Sequence, residues 1–222
     1  MTGNSNITGN SAWHAFLYDG LTLQDPGTLG GTHSYGRDIN DSGQVTGESN
    51  ILGDNSYHAF LYNGHSMRDL GTLGGPISIG RGINDSGQVT GSSNITLFSA
   101  HHAFLYNGRT MQDLGTLGGT HSYSRDINDS GQVVGWSDDT SNNNRAFLYD
   151  GENMLDLCAL VDCVSAGREY LYEAWAINAN GDITGYGRID GQDHAFLVSV
   201  SSEPEPGSLP PAVLLILLGQ SD

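Results

Sequence analysis

Positive charge is nearly missing from this 222-residue chain: eight arginines and no lysine stand against 25 Asp and Glu, a net charge of −17 at pH 7. A field of that sign repels phosphate backbones and anionic lipid surfaces, which makes nucleic acid a poor partner. Cysteine is scarce too, with Cys158 and Cys163 alone, a count that neither demands nor excludes an oxidising compartment. No apolar run reaches the ~20 residues that span a bilayer, and no positively charged, apolar leader opens the chain. What abounds is glycine, 32 residues and roughly double the usual ~7%, a content that disfavours helices and implies many turns. Together with plentiful Asp, Asn and Ser it describes a solvated, non-sticky surface of the kind exported proteins carry.

Laid against itself, the chain repeats. HAFLY begins at His14, His58 and His102, returns as RAFLY at Arg145 and closes as HAFLV at His194, at spacings of 44, 44, 43 and 49. INDSGQV starts at Ile39, Ile83 and Ile127 and ends as INANGDI at Ile177, while GTLGG starts at Gly27, Gly71 and Gly115. Three markers in one phase define a real unit of ~44 residues.

Within one unit, SYSRDIN, QVVGWS, RAFLYD and NMLDLCAL are each bounded by turn residues and have the length of a strand. Asp-Ser-Gly suits a hairpin whose glycine takes positive φ, and Asn180-Gly181 is itself a strong hairpin signal. In AFLY, apolar residues fall on both faces, so that strand is expected to be covered on both sides. Four antiparallel strands per repeat predict an all-β fold, a β-propeller-like array of four-stranded antiparallel blades with about 4.5 repeats of ~44 residues. A β-solenoid is the main rival, but its coils are shorter and lack internal hairpins.

HAFLYNGRTMQDLGTLGG followed by INDSGQVVGWS resembles the HAF family of extracellular repeats over roughly residues 2–200. The resemblance implies an exported bacterial repeat protein without an assigned biochemical activity. Residues 1–200 then form the repeat domain, and 201–222 form a linker and an apolar tail. Pro204-Glu205-Pro206 and the apolar run after it resemble a PEP-CTERM sorting tail, which couples that signature to a membrane-spanning stretch and a basic end. The run from Leu209 to Gly219 is 11 residues, short of a bilayer, and no Arg or Lys follows it, so the tail resembles a truncated signal and offers only an incomplete link to a membrane.

The first 20 residues align with those from Val89, placing Met1 where the unit has valine. A GTG valine codon also serves bacteria as a start, so the chain is expected to be the carboxy-terminal part of a longer protein that carries the signal peptide. The first unit lacks its opening strand and the last shows no strand after HAFLV. A ring closes only if strands from the two ends share a blade; otherwise the array is an open arc with exposed edges.

Several side chains invite chemistry. His14, His58, His102 and His194 share one position, but Arg145 takes it in the fourth unit, and a guanidinium neither ligates metal nor acts as a base near neutral pH. These histidines are therefore expected to be strand-end donors to backbone carbonyls. The segment from Asp38 to Gly43, repeated from Asp126 to Gly131, matches the first half of a calcium loop. Ser49 and Ser137 stand where the closing acid belongs, and Gly82 and Ala179 break the pattern elsewhere, so it reads as a hairpin turn and no metal is expected. His33, Tyr35 and Arg37, with His121, Tyr123 and Arg125, form a polar-aromatic set able to stack on a sugar, replaced in the second unit by Ile77 and Ile79. Cys158 and Cys163, five apart, can bridge a local loop.

Ser-His-Asp order, a phosphate-cradling loop and paired carboxylates do not rise above the background of so many Asp and Gly. The reading is a non-enzymatic, cofactor-free, extracellular or cell-surface structural or interaction module, its partners surface polysaccharide or other cell-surface components. The alternative is a carbohydrate-binding, lectin-like propeller.

Overall fold

The computed structural model describes residues 1–7, 9, 11–96, 100–161, 163, 170–189, 191–200 and 213–218. Among these the fold is all-β apart from one helical turn, α1 (Leu157–Leu160). Two compact units divide the chain, Met1–Gly115 and Thr116–Asp222.

The first unit holds three sheets. β1 (Thr2–Asn6), β2 (Trp13–Tyr18) and β3 (Leu23–Gln24) form a three-stranded sheet. β4 (Gly30–Ile39), β5 (Val45–Ile51), β6 (Tyr57–Tyr62) and β7 (Met67–Asp69) form the next, and β8 (Ser78–Ile83), β9 (Val89–Asn94), β10 (His101–Tyr106) and β11 (Met111–Asp113) the third. Every neighbouring pair is antiparallel and sequential, so each sheet is a meander.

The sheets stack through the AFLY strand. Successive residues of β6 point to opposite faces: Phe60 and Tyr62 pack with Ala15, Leu17 and Val45, whereas Ala59 packs with Ile83, Val89 and Phe104. On β10, Ala103, Phe104, Leu105 and Tyr106 are all buried. That is the two-sided coverage expected from apolar residues on both faces.

The second unit repeats the meander with β12 (Gly118–Ile127), β13 (Val133–Asp139), β14 (Asn144–Tyr149) and β15 (Met154–Asp156), followed by α1. Its second sheet is β16 (Tyr170–Ile177), β17 (Ile183–Ile189), β18 (Gln192–Val200) and β19 (Val213–Leu218). Val134 and Ala146 of one sheet share a core with Leu171, Ala174, Ile177 and Phe196 of the other.

Two local expectations are corrected. NMLDLCAL is not one strand: pairing stops at Asp156, whose carboxylate accepts from the Cys158 N–H and caps α1. The capped turn satisfies backbone groups that a longer strand would have needed a partner for. The last sheet does have a strand after HAFLV, since Val213–Leu218 pairs with β18 from Val200↔Val213 to Ala195↔Leu218. Pro204-Glu205-Pro206 lies outside the described residues.

Asp-Ser-Gly makes a three-residue hairpin loop. Gly43 sits at φ +76° and donates its N–H to the Asn40 carbonyl at 3.0 Å, while the Asn40 side chain accepts from the Gln44 N–H at 2.9 Å. Gly87, Gly131 and Gly181 repeat that positive φ, a region that penalises any residue with a Cβ.

Candidate functional site

Most of the recurring polar residues are consumed in holding sheet to sheet. Asp38 accepts the Ile39 N–H at 2.8 Å through Oδ1 and, through Oδ2, the Ile83 N–H of the next sheet at 2.8 Å. Asn40 Nδ2 donates to the Asn84 carbonyl at 3.0 Å. In the second unit Asp126 takes the Ile177 N–H at 2.9 Å, and Asn128 donates to the Asn178 carbonyl at 3.2 Å. The segment resembling half a calcium loop is thus a stitch between sheets. Asp38→Ala would leave the N–H of buried Ile83 without that acceptor, an expected loss of about 1–3 kcal/mol readable in a urea titration.

Serine makes a second stitch. Ser34 Oγ accepts from the Ala15 N–H at 3.0 Å and donates to the Gly27 carbonyl at 2.6 Å; Ser78 does the same with Ala59 and Gly71 at 2.8 and 2.6 Å. Each serine ties the HAF strand of one sheet to the opening strand of the next.

Three of the HAF histidines bond carboxylates where backbone carbonyls were expected. Nδ1 of His14, His58 and His102 donates to the carboxylates of Asp25, Asp69 and Asp113 at 2.8–3.0 Å. Those carboxylates also accept the N–H of Gly27, Gly71 and Gly115 at 2.7–2.8 Å. A carboxylate wins over a carbonyl because a charged acceptor makes the stronger bond. At the fourth position Arg145 turns to Asp139 instead, at 2.9 Å from Nε, and lies 3.8 Å over the Tyr170 ring. Asp156, freed from that role, caps α1, and burial raises its carboxyl above the usual range.

For Asp69 and Asp113 burial pushes the carboxyl upward, but the histidine hydrogen bond, the glycine N–H and the histidine charge outweigh it, and both stand below the usual carboxylate value. A folded value below the unfolded ~3.9 stabilises the fold above that pH and is lost as pH falls through the folded value. Asp69→Asn with Asp113→Asn is accordingly expected to shrink the drop in denaturation midpoint below about pH 4 relative to the parent chain.

A β-bulge lies in the opening strand of each four-stranded sheet, where register shifts bracket Arg37, Arg81, Arg125 and Trp175. Bulges re-aim a side chain out of the ladder. Arg37 forms a bidentate pair with Glu48 of its own sheet, Nε to Oε2 at 2.9 Å. Arg125 reaches Glu173 of the next sheet at 2.5 Å.

Around the first pair lies a cleft of about 250 Å³ lined by Tyr35, Arg37, Glu48, Asn50, Tyr57 and Ile79. Burial, reinforced by the Glu48 carboxylate against the opposing Arg81, raises the Tyr57 phenol above its usual value, so its hydroxyl stays a donor at neutral pH. Two phenolic rings, an amide and an ion pair offer an apolar wall with donors and acceptors at its edge. His33 stands beside Tyr35, ring centroids 6.4 Å apart, and accepts the Trp13 N–H at 3.0 Å. In the second unit Tyr123 is stacked on Trp136 at 4.7 Å, and the His121 N–H is held by Asp138 at 3.0 Å. The structure therefore brings Tyr35 and Arg37 together in the cleft, while Tyr123 and Arg125 engage Trp136 and Glu173.

Cys158, within α1, is joined to Cys163 in a disulfide. Among the described residues no group of three or more His, Cys, Asp or Glu side chains is placed to share a metal ion.

Residues 76–196, more than half of the chain, match the family described as Protein of unknown function (DUF3466). The chain belongs to this family. No curated protein matches it. The DUF3466 segment contains the His102–Asp113 and Arg145–Asp139 pairs and both sheets of the second unit up to β18. Of the cleft residues only Ile79 falls inside it, so the cleft belongs to the repeat that precedes the DUF3466 match.

Proposed function

We propose that this DUF3466 chain is a non-enzymatic structural and interaction module of an exported, HAF-type repeat protein, acting at the cell surface or in the extracellular matrix, its sheets set as blades around a common axis. The observation that carries this reading is the use made of the repeated polar residues. Asp38, Asn40 and Ser34 fasten one sheet to the next, while His58 and Asp69 pair within one sheet, and side chains engaged in these ways are not available for turnover. The disulfide supports an oxidising compartment, and the net charge of −17 supports a soluble, non-sticky surface.

Fractionation of a bacterium producing the full-length gene tests the reading: the protein is expected in the medium or exposed to protease on intact cells, and retention in the cytoplasm would refute it. Small-angle scattering tests the blade arrangement, since a disc with a central channel and an extended arc give different distance distributions.

A second reading, a carbohydrate-binding propeller, is favoured by the cleft of Tyr35, Tyr57, Arg37, Glu48 and Asn50. On a glycan array it expects binding of a defined sugar that is lost on Tyr35→Ala with Tyr123→Ala; silence across the array leaves the structural module.

A further inference from the structure

The last sheet departs from the others on one face. Where the earlier repeats carry arginine in the bulge of the opening strand, β16 carries Trp175, and a second bulge lies between Leu171 and Glu173, at Tyr172. Both residues are thus out of the ladder, and both rings meet Tyr186 of β17. Trp175 is stacked on Tyr186 at 5.4 Å with 29° between planes, and Tyr172 meets the same ring at 5.8 Å. Trp175 is 51% exposed, an unusual position for the largest apolar side chain when a core lies within reach. Two bulges that turn two aromatic rings onto a third make a platform open to solvent.

Its rim is polar. The Arg125–Glu173 ion pair stands beside it, since Glu173 lies directly opposite Tyr186 in the ladder. Asp193 lies two residues from Ala195, the residue opposite Tyr186 on β18, and so points to the same face. Flat rings edged by two carboxylates and a guanidinium match a ligand with an apolar face and hydroxyls around its perimeter: the C–H face of a pyranose lies on indole and phenol rings, and its hydroxyls donate to carboxylates and accept from arginine. A net charge of −17 selects against anionic ligands by long-range repulsion.

The geometry points to a saccharide-binding site on β16 and β17, in which Trp175, Tyr172 and Tyr186 stack on a neutral pyranose and Arg125, Glu173 and Asp193 bond its hydroxyls. This site shares no residue with the Tyr35 cleft and stands whether or not that cleft binds sugar.

The test is affinity electrophoresis of the whole chain through native gels containing neutral polysaccharides, namely β-1,3-glucan, β-1,4-glucan, mannan and galactan. At least one should retard the protein. Trp175→Ala should weaken the retardation by more than about tenfold, a change of 1.4 kcal/mol or more, while Trp175→Phe preserves most of it and far-ultraviolet circular dichroism stays unchanged in both. Free migration in all four gels overturns the proposal, as does retardation that survives Trp175→Ala. Retardation lost only on Tyr35→Ala assigns the sugar to the other cleft and equally overturns it. A proline-rich peptide that perturbs Trp175 fluorescence, with no effect of any polysaccharide, would mark the platform as a peptide site instead.

Discussion

Replacing Phe104 by alanine is expected to cost about 3–5 kcal/mol of folding stability. The ring is fully buried, among Ala59 and Leu70 of the preceding sheet and Ile83, Val89 and Tyr106 of its own. Its removal leaves a cavity at the joint between two sheets, where collapse on one side opens a gap on the other. Thr110→Ala, in the exposed loop after β10, is expected to stay within about 0.5 kcal/mol. Because sheets in a repeat array depend on their neighbours, hydrogen exchange in Phe104→Ala should quicken in β6 as well as in β10. A denaturant titration giving equal, small losses for both variants would contradict two-sided burial.

Gly91→Ala is expected to be at least as damaging, above about 4 kcal/mol or enough to prevent folding. The glycine lies within β9 and has no unusual φ, so the reason is space. A Cβ there would stand 1.8 Å from the Ile79 carbonyl oxygen and 2.8 Å from Cε1 of Phe104. The first obstacle is backbone of the paired strand, which can give way only by breaking the ladder at the bulge between Gly80 and Gly82. The second is the ring of the preceding prediction, already held between sheets. Gly47, Gly135 and Gly185 meet the same two obstacles, a carbonyl of the opening strand and the ring of Phe60, Phe147 or Phe196. Each repeat thus couples one glycine to one phenylalanine. Urea titration of Gly91→Ala measures this directly, and a loss under about 1 kcal/mol would show that β8 and β9 can separate without breaking the sheet.

Much of this was legible in the sequence because the period made it so. Strands, hairpins and meander order follow from the same short patterns appearing in phase, and apolar residues on both faces of AFLY announced burial from both sides. The histidine partners were legible too, though the reading of single histidines missed them: Asp25, Asp69 and Asp113 each stand 11 residues after a HAF histidine. Where Arg145 replaces histidine, Asp156 still stands at that spacing but caps α1, so the spacing alone does not fix the pairing. The glycine of QVTG, present inside the second strand of every four-stranded repeat, was a signal of close approach that turn-based reasoning passes over.

The bulges were not legible, because they arise from a mismatch in residue count between paired strands that no single strand records. Without them Arg37, Arg125 and Trp175 read as ordinary strand residues, and the Trp175–Tyr186–Tyr172 platform does not emerge. The strand Val213–Leu218 was obscured by the resemblance of its neighbourhood to a sorting tail, although a six-residue apolar run has the length of a strand.

The central claim is that the recurring Asp, Asn and Ser residues hold sheet to sheet. Amide hydrogen exchange at Ile83, measured by nuclear magnetic resonance in the parent chain and in Asp38→Ala, tests it most directly, because the Ile83 N–H donates to a side chain of a different sheet. Slow exchange in the parent and fast exchange at Ile83 in Asp38→Ala, with the middle of β9 still protected, is the predicted result. Protection at Ile83 that is unchanged by the substitution would contradict it.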